Sequence, residues 1–186
     1  MLAKAGDLIL RRAVDLTAVD GVCKASSSDK SLLWQYFCGK EDLVRSVINE
    51  QAQTLLNQQR RELQAVTSVT DLDRWRDRLV AGNEPRNGAF GCVLGTLVSQ
   101  LADRDEPYRL LLAGYFAEWQ RLAAAALRRL QTRGELTHDA NPEELATGLI
   151  AALQGGYVLA RVSRDVDDMA AAIDMALSRI RSYTRR

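Results

Sequence analysis

Apolar residues recur along this chain at steps of three and four, and no run alternates as a half-buried strand does. Leu2, Ala5, Leu8 and Ile9 predict a first helix over residues 2–12. Thr17 offers an N-cap for a short helix over 18–25, and Asp29 offers one for another over 30–36. Between those two lies the serine run Ser26-Ser27-Ser28, a poor helix interior; Phe37-Cys38-Gly39 breaks the chain again. A long helix then starts at Lys40. Glu41 and Asp42 suit its positive end, and Leu43, Val44, Val47, Ile48, Leu55, Leu56 and Leu63 keep helical spacing. Thr70 or Asp71 caps a helix through Leu79, and residues 82–88 form a loop rich in Gly, Asn and Pro. Phe90 to Ala102 reads as a compact helix, and Pro107 stands in the first turn of one that continues to Leu130. Asn141-Pro142-Glu143-Glu144 opens a helix to about Arg164, and the last runs over 166–180. The pattern predicts an all-α fold of about nine helices.

Composition agrees. Leu and Ala supply 52 residues against 18 for Val and Ile, a bias toward helix formers. At 186 residues the chain suits one domain or one with a small appendage. Twenty-five basic residues against 24 acidic ones leave a net charge of +1. Cys23, Cys38 and Cys92 are an odd set without metal-ligand spacing, and His138 is the sole histidine; neither a disulfide framework nor a metal site is expected, and no cofactor. The sequence holds no nucleophile elbow, phosphate loop or metal-spaced ligands, which argues against an enzyme. Asp7, Arg11 and Arg12 interrupt the first apolar stretch, so no secretory signal is expected there. The most apolar window, residues 145–160, falls short of the roughly 20 residues of a spanning helix. A soluble, cytoplasmic protein without a membrane partner is the expectation.

Two short helices joined by a tight turn, with a third in front, form a helix-turn-helix unit. Residues 17–43 read T-A-V-D-G-V-C-K-A-S-S-S-D-K-S-L-L-W-Q-Y-F-C-G-K-E-D-L. This stretch resembles, without a gap, the DNA-binding segment of TetR-family repressors: Thr17, Lys30, Leu33, Tyr36, Phe37, Lys40, Glu41 and Leu43 fall where that family's pattern expects them. Further along, Gly91-Cys92-Val93-Leu94-Gly95, Leu101-Ala102-Asp103, Gln131 to Leu136 and Leu153-Gln154-Gly155-Gly156 resemble signatures of the family's ligand domain. The resemblance implies a DNA-binding domain over 1–45 and a ligand-binding and dimerisation domain over 46–186. It implies a homodimeric repressor on double-stranded operator DNA, released by a small apolar or aromatic effector.

Several departures stand beside it. Ser26-Ser27-Ser28 replaces the usual Ala-Gly-Val turn, Asp29 stands where serine is common, and no basic arm precedes the first helix. Through Arg45 the seven basic and six acidic residues leave only +1, a weak electrostatic footprint for a DNA reader. The alternative is therefore a dimeric small-molecule-binding protein whose head no longer binds DNA.

Candidate roles follow residue by residue. Lys40, with the free amides opening its helix, suits a phosphate. Thr17 caps a helix and can touch phosphate as well. Lys30 and Ser31 are placed for base edges or adjacent phosphates, and Ser28 completes the set from the turn. Trp34 and Tyr36 can pack while their polar ends reach phosphate, and Gln35 can pair with adenine or face solvent. In the second domain, Trp75, Phe90, Trp119 and Tyr157 with Gln154 are candidates for an apolar effector pocket, with core packing the alternative. Cys92 reads as a buried small hydrophobe or a reactive thiol. The dimer is expected through the last two helices, by Ala151, Ala152, Gly155, Gly156 and Ala160 with Leu149, Leu153, Val158 and Leu159, against Met169, Ala172, Ile173, Ala176, Leu177 and Ile180.

Overall fold

The computed structural model describes residues 37–89 and 91–184, and its regular structure there is helical. Six α-helices follow one another: α1 Lys40–Gln64, α2 Val69–Asn83, α3 Val93–Leu101, α4 Glu106–Thr132, α5 Pro142–Ser163 and α6 Asp167–Arg181. A single 3-10 turn, Glu84–Arg86, follows α2. Among the described residues no strand forms; Leu136 and Thr184 make an isolated bridge. The six helices are those the periodicity places from Lys40 onward. The three expected ahead of Lys40 lie outside the described residues, so the described count is six rather than about nine.

Local chemistry moves some helix ends. α2 starts at Val69 because Ser68 stands at its N-cap. Asp71 Oδ2 then accepts from the backbone N–H of Thr67 and of Ser68 and from the Thr67 hydroxyl, each at 2.9 Å. Those donors, the Thr67 amide foremost, hold the Asp71 carboxyl far below the usual carboxylate range. α3 starts at Val93 rather than Phe90 because Gly91 has φ of +60°, which no helical residue adopts. Phe90 itself lies outside the described residues. α5 begins as its sequence dictates: the Asn141 side chain accepts from Glu143 N and Glu144 N, and Pro142 takes the first turn. Arg164, at φ of +60°, ends it.

The described chain falls into two compact units. The first holds the described residues through Leu55 together with Val93–Tyr115. Its core is Val47, Ile48 and Ala52 of α1, Leu94 and Leu97 of α3, and Leu112 of α4. Tyr108 donates its hydroxyl to the Glu41 carbonyl at 3.2 Å, and Tyr115 donates to Asn49 Oδ1 at 2.8 Å. The second unit holds Leu56–Cys92 and the described residues from Phe116 onward. Leu56, Leu63, Leu72, Trp75, Leu127, Leu130, Leu153 and Ile173 are buried there. Arg76 of α2 grips Asp174 of α6 through Nε at 3.0 Å and Nη2 at 2.6 Å.

Within the second unit α5 and α6 approach very closely. A Cβ at Gly156 would stand 2.9 Å from Met169 Cα and 3.1 Å from Ala172 Cβ. One turn on, the loop after α2 presses on the same helix: a Cβ at Gly88, whose φ is +67°, would meet Ala160 Cβ at 2.8 Å. Gly156 and Ala160 therefore face this chain's own core, not a second copy. Leu149, Leu153, Met169, Ile173, Leu177 and Ile180 are buried there too, so these eight of the residues expected at the dimer interface belong to the monomer. The outward face is different. It carries Val158, Leu159, Val162 and Met175, between 55% and 80% exposed, with Gly148, Ala151 and Gly155 exposed beside them. At 22 residues α5 is longer than the apolar window read from the sequence, and by length and composition alone it could cross a membrane. Its inner face, however, is spent on α6 and the loop at Gly88.

The close approach sets a stability test. Gly156→Ala forces backbone apart and should destabilise the protein by about 1–3 kcal/mol. Gly114→Ala, on α4 with nothing within 4 Å of the new Cβ, should stabilise it by roughly 0.5–1 kcal/mol. Chemical denaturation of both variants checks the pair; an unaffected Gly156→Ala would mean the helices separate freely.

Candidate functional site

Of the residues assigned to DNA by sequence, Thr17, Ser28, Lys30, Ser31, Trp34, Gln35 and Tyr36 lie outside the described residues. Lys40 is the first residue of α1. One feature of that helix start is new: Asp42 Oδ2 accepts from Cys38 N at 3.0 Å. The carboxylate thus occupies one amide donor near a helix end whose free N–H groups would otherwise be offered to a phosphate.

The effector candidates fall in the second unit, Phe90 apart. Trp75 is fully buried, and its indole N–H donates to Gln59 Oε1 at 3.0 Å. Gln59, 3% exposed, is a polar side chain in the middle of the α1 stripe that Leu56 and Leu63 define. Its pairing with Trp75 satisfies both groups internally. Trp119 is different. It is 1% exposed, it lies 6.3 Å from the Phe116 ring centroid, and its indole nitrogen has no hydrogen-bond partner. Gln154 Nε2 and Glu62 Oε2 are likewise buried without a hydrogen-bond partner.

Tyr157 stands one turn beyond Gln154 on α5. Burial pushes its phenol well above the ordinary value, the neighbouring Cys92 and the charge of Glu62 push it the same way, and Asn83 opposes them through a side-chain hydrogen bond. The phenol therefore keeps its proton. A Cβ at Gly91 would lie 3.7 Å from the Tyr157 carbonyl, so the Gly91-Cys92 segment runs directly along this part of α5. Glu62 is held from one side only. Its Oε1 accepts from Gln58 Nε2 at 3.0 Å, whereas Oε2 has Arg78 Nε at 3.8 Å, within ion-pair range but beyond a hydrogen bond.

Of the residues singled out by sequence, Trp119 and Gln154 carry buried polar atoms without a hydrogen-bond partner and Tyr157 lies beside Gln154 on α5, while Glu62, Gln59 and Asn83 were not singled out. Gln59 could have been found as the polar break in an apolar stripe. Glu62 lies one turn further along and reads as an ordinary solvated glutamate, so nothing in the pattern marks it. Among the described residues no cluster of His, Cys, Asp or Glu is arranged to hold a metal ion. Two buried donors and one buried carboxylate oxygen of the second unit lack hydrogen-bond partners instead, each costing about 1–3 kcal/mol. Such groups set the orientation of a bound small molecule in an otherwise apolar site.

Residues 70–176 match the family described as Tetracyclin repressor-like, C-terminal domain. The transcriptional regulator AcuR of Cereibacter sphaeroides is 26% identical over 172 residues, covering 90% of this chain and 78% of the relative. The HTH-type transcriptional repressor DhaR of a Mycobacterium species is 24% identical, covering 89% of this chain and 82% of its own length. Among solved structures, the regulatory protein TetR from Rhodobacter sphaeroides superposes with a TM-score of 0.85 at 21% identity, covering 95% of each chain.

The two glutamines should respond oppositely to loss of the amide. Gln59→Met strands the Trp75 N–H and should cost about 1–3 kcal/mol, whereas Gln154→Met removes an unpaired donor and should be neutral or stabilising by about 1 kcal/mol. Urea denaturation without added small molecules distinguishes them. A loss at Gln154 equal to that at Gln59 would show that Gln154 is structurally paired.

Proposed function

The chain belongs to the tetracycline-repressor-like family of transcriptional regulators, and we propose that this DNA-binding regulator is a homodimeric repressor released from its operator by a small-molecule effector. The observation that carries the dimer is the outward face of α5 and α6. Val158, Leu159, Val162 and Met175 are large apolar side chains on one pair of packed helices, next to a strip of exposed Gly148, Ala151 and Gly155. Contiguous exposed apolar surface of that kind marks an interaction site. Two helices from each copy would form a four-helix interface, self-complementary about a two-fold axis.

The division of labour we infer is a DNA-binding head over 1–45 and an effector-binding and dimerisation domain over 46–186. The two heads of a dimer read half-sites of a palindrome, because protein symmetry imposes operator symmetry. Thr17, Ser28, Lys30, Ser31, Trp34, Gln35, Tyr36 and Lys40 form the DNA-facing set. Trp119, Gln154 and Tyr157, with Glu62, Phe90 and Trp75, form the effector set. The similarity to DhaR, named a transcriptional repressor, supports the sign of the regulation. We place the protein in the cytoplasm, where the operator is, and assign it no enzymatic activity.

Release requires an effector that binds the DNA-incompetent arrangement more tightly, and the coupling is reciprocal. A coupling of ~1–3 kcal/mol weakens operator binding by roughly 5–150-fold.

Two measurements test this reading. Val162→Glu combined with Met175→Glu places charge on the exposed face without touching the core, and light scattering at micromolar concentration should change from a dimer mass to a monomer mass. A monomeric parent protein would remove the dimer. Second, gel shifts against the DNA upstream of the protein's own gene should show a retarded band for the parent. Lys40→Ala should then weaken all sequences alike and lower the salt slope by about one unit. Equal slopes would place Lys40 in solvent, and no retardation at all would favour a small-molecule-binding protein with a degenerate head.

A further inference from the structure

The outward face of α5 is not uniform along its length. Gly148, Ala151, Gly155, Val158 and Val162 recur at steps of three and four, which at about 100° per residue keeps them on one side of the helix. All are exposed, as is Leu159 beside them. The N-terminal half of the face is small, with Gly148, Ala151 and Gly155. The C-terminal half is large: Val158, Leu159 and Val162 are 63%, 55% and 80% exposed. Beside the small half runs a groove of about 310 Å³, lined by Gly148 and Ala152 of α5 and by Ala176 of α6. Glu144 and Arg179, the charged groups that line it, have opposite signs, and the rest of the lining is apolar. A Cβ built at Gly148 or at Gly155 meets nothing within 4 Å.

We propose that this groove is the socket for a second copy of the chain, entered by the partner's Val158 and the partner's Val162, with the two α5 helices antiparallel about a two-fold axis at Gly155. The inference rests on the reading of the protein as a homodimer and adds the orientation and register of its interface. A two-fold axis across α5 pairs each residue before Gly155 with the one equally far beyond it. Gly148 then meets the partner's Val162, Ala151 the partner's Leu159 and Ala152 the partner's Val158. The helical phase agrees. Gly148 and Ala152 lean to one flank of the face, Val158 and Val162 lean to the other, and the rotation brings those flanks together. Every large residue thus faces a small one, and glycine stands at the point of closest approach. Parallel pairing, about an axis along the helix, sets valine against valine at one end and holds the small halves apart at the other. Voids of that kind forfeit the dispersion contacts that a close-packed interface gains.

A transposition of socket and knob tests the register. Gly148→Val fills the groove without touching its own chain, so the variant stays folded by melting curve. It should raise the dimer dissociation constant at least about tenfold, the scale of one overpacked contact. Val162→Ala should weaken the dimer too, by removing buried methyl groups. The double variant again places a large residue opposite a small one, so it should dimerise more tightly than either single variant in sedimentation equilibrium. Cysteine pairs test the orientation, on chains carrying Cys23→Ser and Cys38→Ser. Gly155→Cys should oxidise to a covalent dimer. Gly148→Cys should not, since its two copies lie roughly 21 Å apart along the helices, well beyond the roughly 4.4–6.8 Å that a disulfide spans between Cα atoms. Mixed Gly148→Cys and Val162→Cys chains should cross-link to each other. The proposal is overturned if the double variant is weaker than both singles, if Gly148→Val dimerises as tightly as the parent, or if Gly148→Cys cross-links to itself. Any of these with a dimeric parent removes this inference and leaves the homodimer standing, whereas a monomeric parent removes both.

Discussion

At Gly156 the backbones of α5 and α6 lie so close that a Cβ would stand 2.9 Å from Met169 Cα. Only glycine allows that distance, and the rest of the second unit follows from it. Close approach lets Leu149 and Leu153 of α5 interdigitate with Met169, Ile173 and Leu177 of α6 until all are 1% exposed or less. With its inner face used up, each helix must turn its remaining apolar residues outward. Val162 and Met175, at 80% and 75% exposed, are the consequence. A buried core and an exposed apolar face are thus two sides of the same helix pair, and the contact at Gly156 decides which residue belongs to which.

This explains where sequence reading succeeds and where it stops. The helix order from Lys40 onward was legible because its signals are local: Asn141-Pro142-Glu143-Glu144 opens α5 as written, and Pro107 sits in the first turn of α4. The start of α2 was displaced by two or three residues because three donors converge on Asp71, a pattern that periodicity does not encode. The start of α3 was missed because Gly91 adopts a left-handed conformation, and glycine alone does not announce which φ it takes. Small residues on α5 pointed to close helix approach, but not to which helix. Gly156 and Ala160 meet this chain, while Gly155, their neighbour, has nothing within 4 Å of a Cβ. A one-residue difference rotates a side chain by about 100° around a helix of 3.6 residues per turn, and only tertiary packing fixes that phase.

The candidate site divides in the same way. Gln154 stood out as the polar residue in an apolar helix, and its amide is indeed buried and unpaired. The three tryptophan and tyrosine candidates in the second unit looked equivalent in sequence, yet their polar ends differ. Trp75 gives its N–H to Gln59, Trp119 has no acceptor, and Tyr157 keeps its proton under burial and nearby charge. Hydrogen-bond accounting separates core from candidate site where residue type cannot. Glu62 was illegible because a glutamate late in an amphipathic helix is ordinarily solvated, and its burial comes from neighbours far away in sequence.

Under the proposed function the same accounting would give regulation its leverage. Groups held without partners lower the stability of the empty site, so a ligand that matches them gains the difference on binding. That gain acts on DNA only if it is larger in one arrangement of the chain than in another. Glu62 lies on α1, the helix whose first residue is Lys40. In the proposed dimer the two heads would meet successive major grooves, which are a full helical turn of DNA apart. Under the proposed function, release from DNA would then act through a change in the spacing of the two heads.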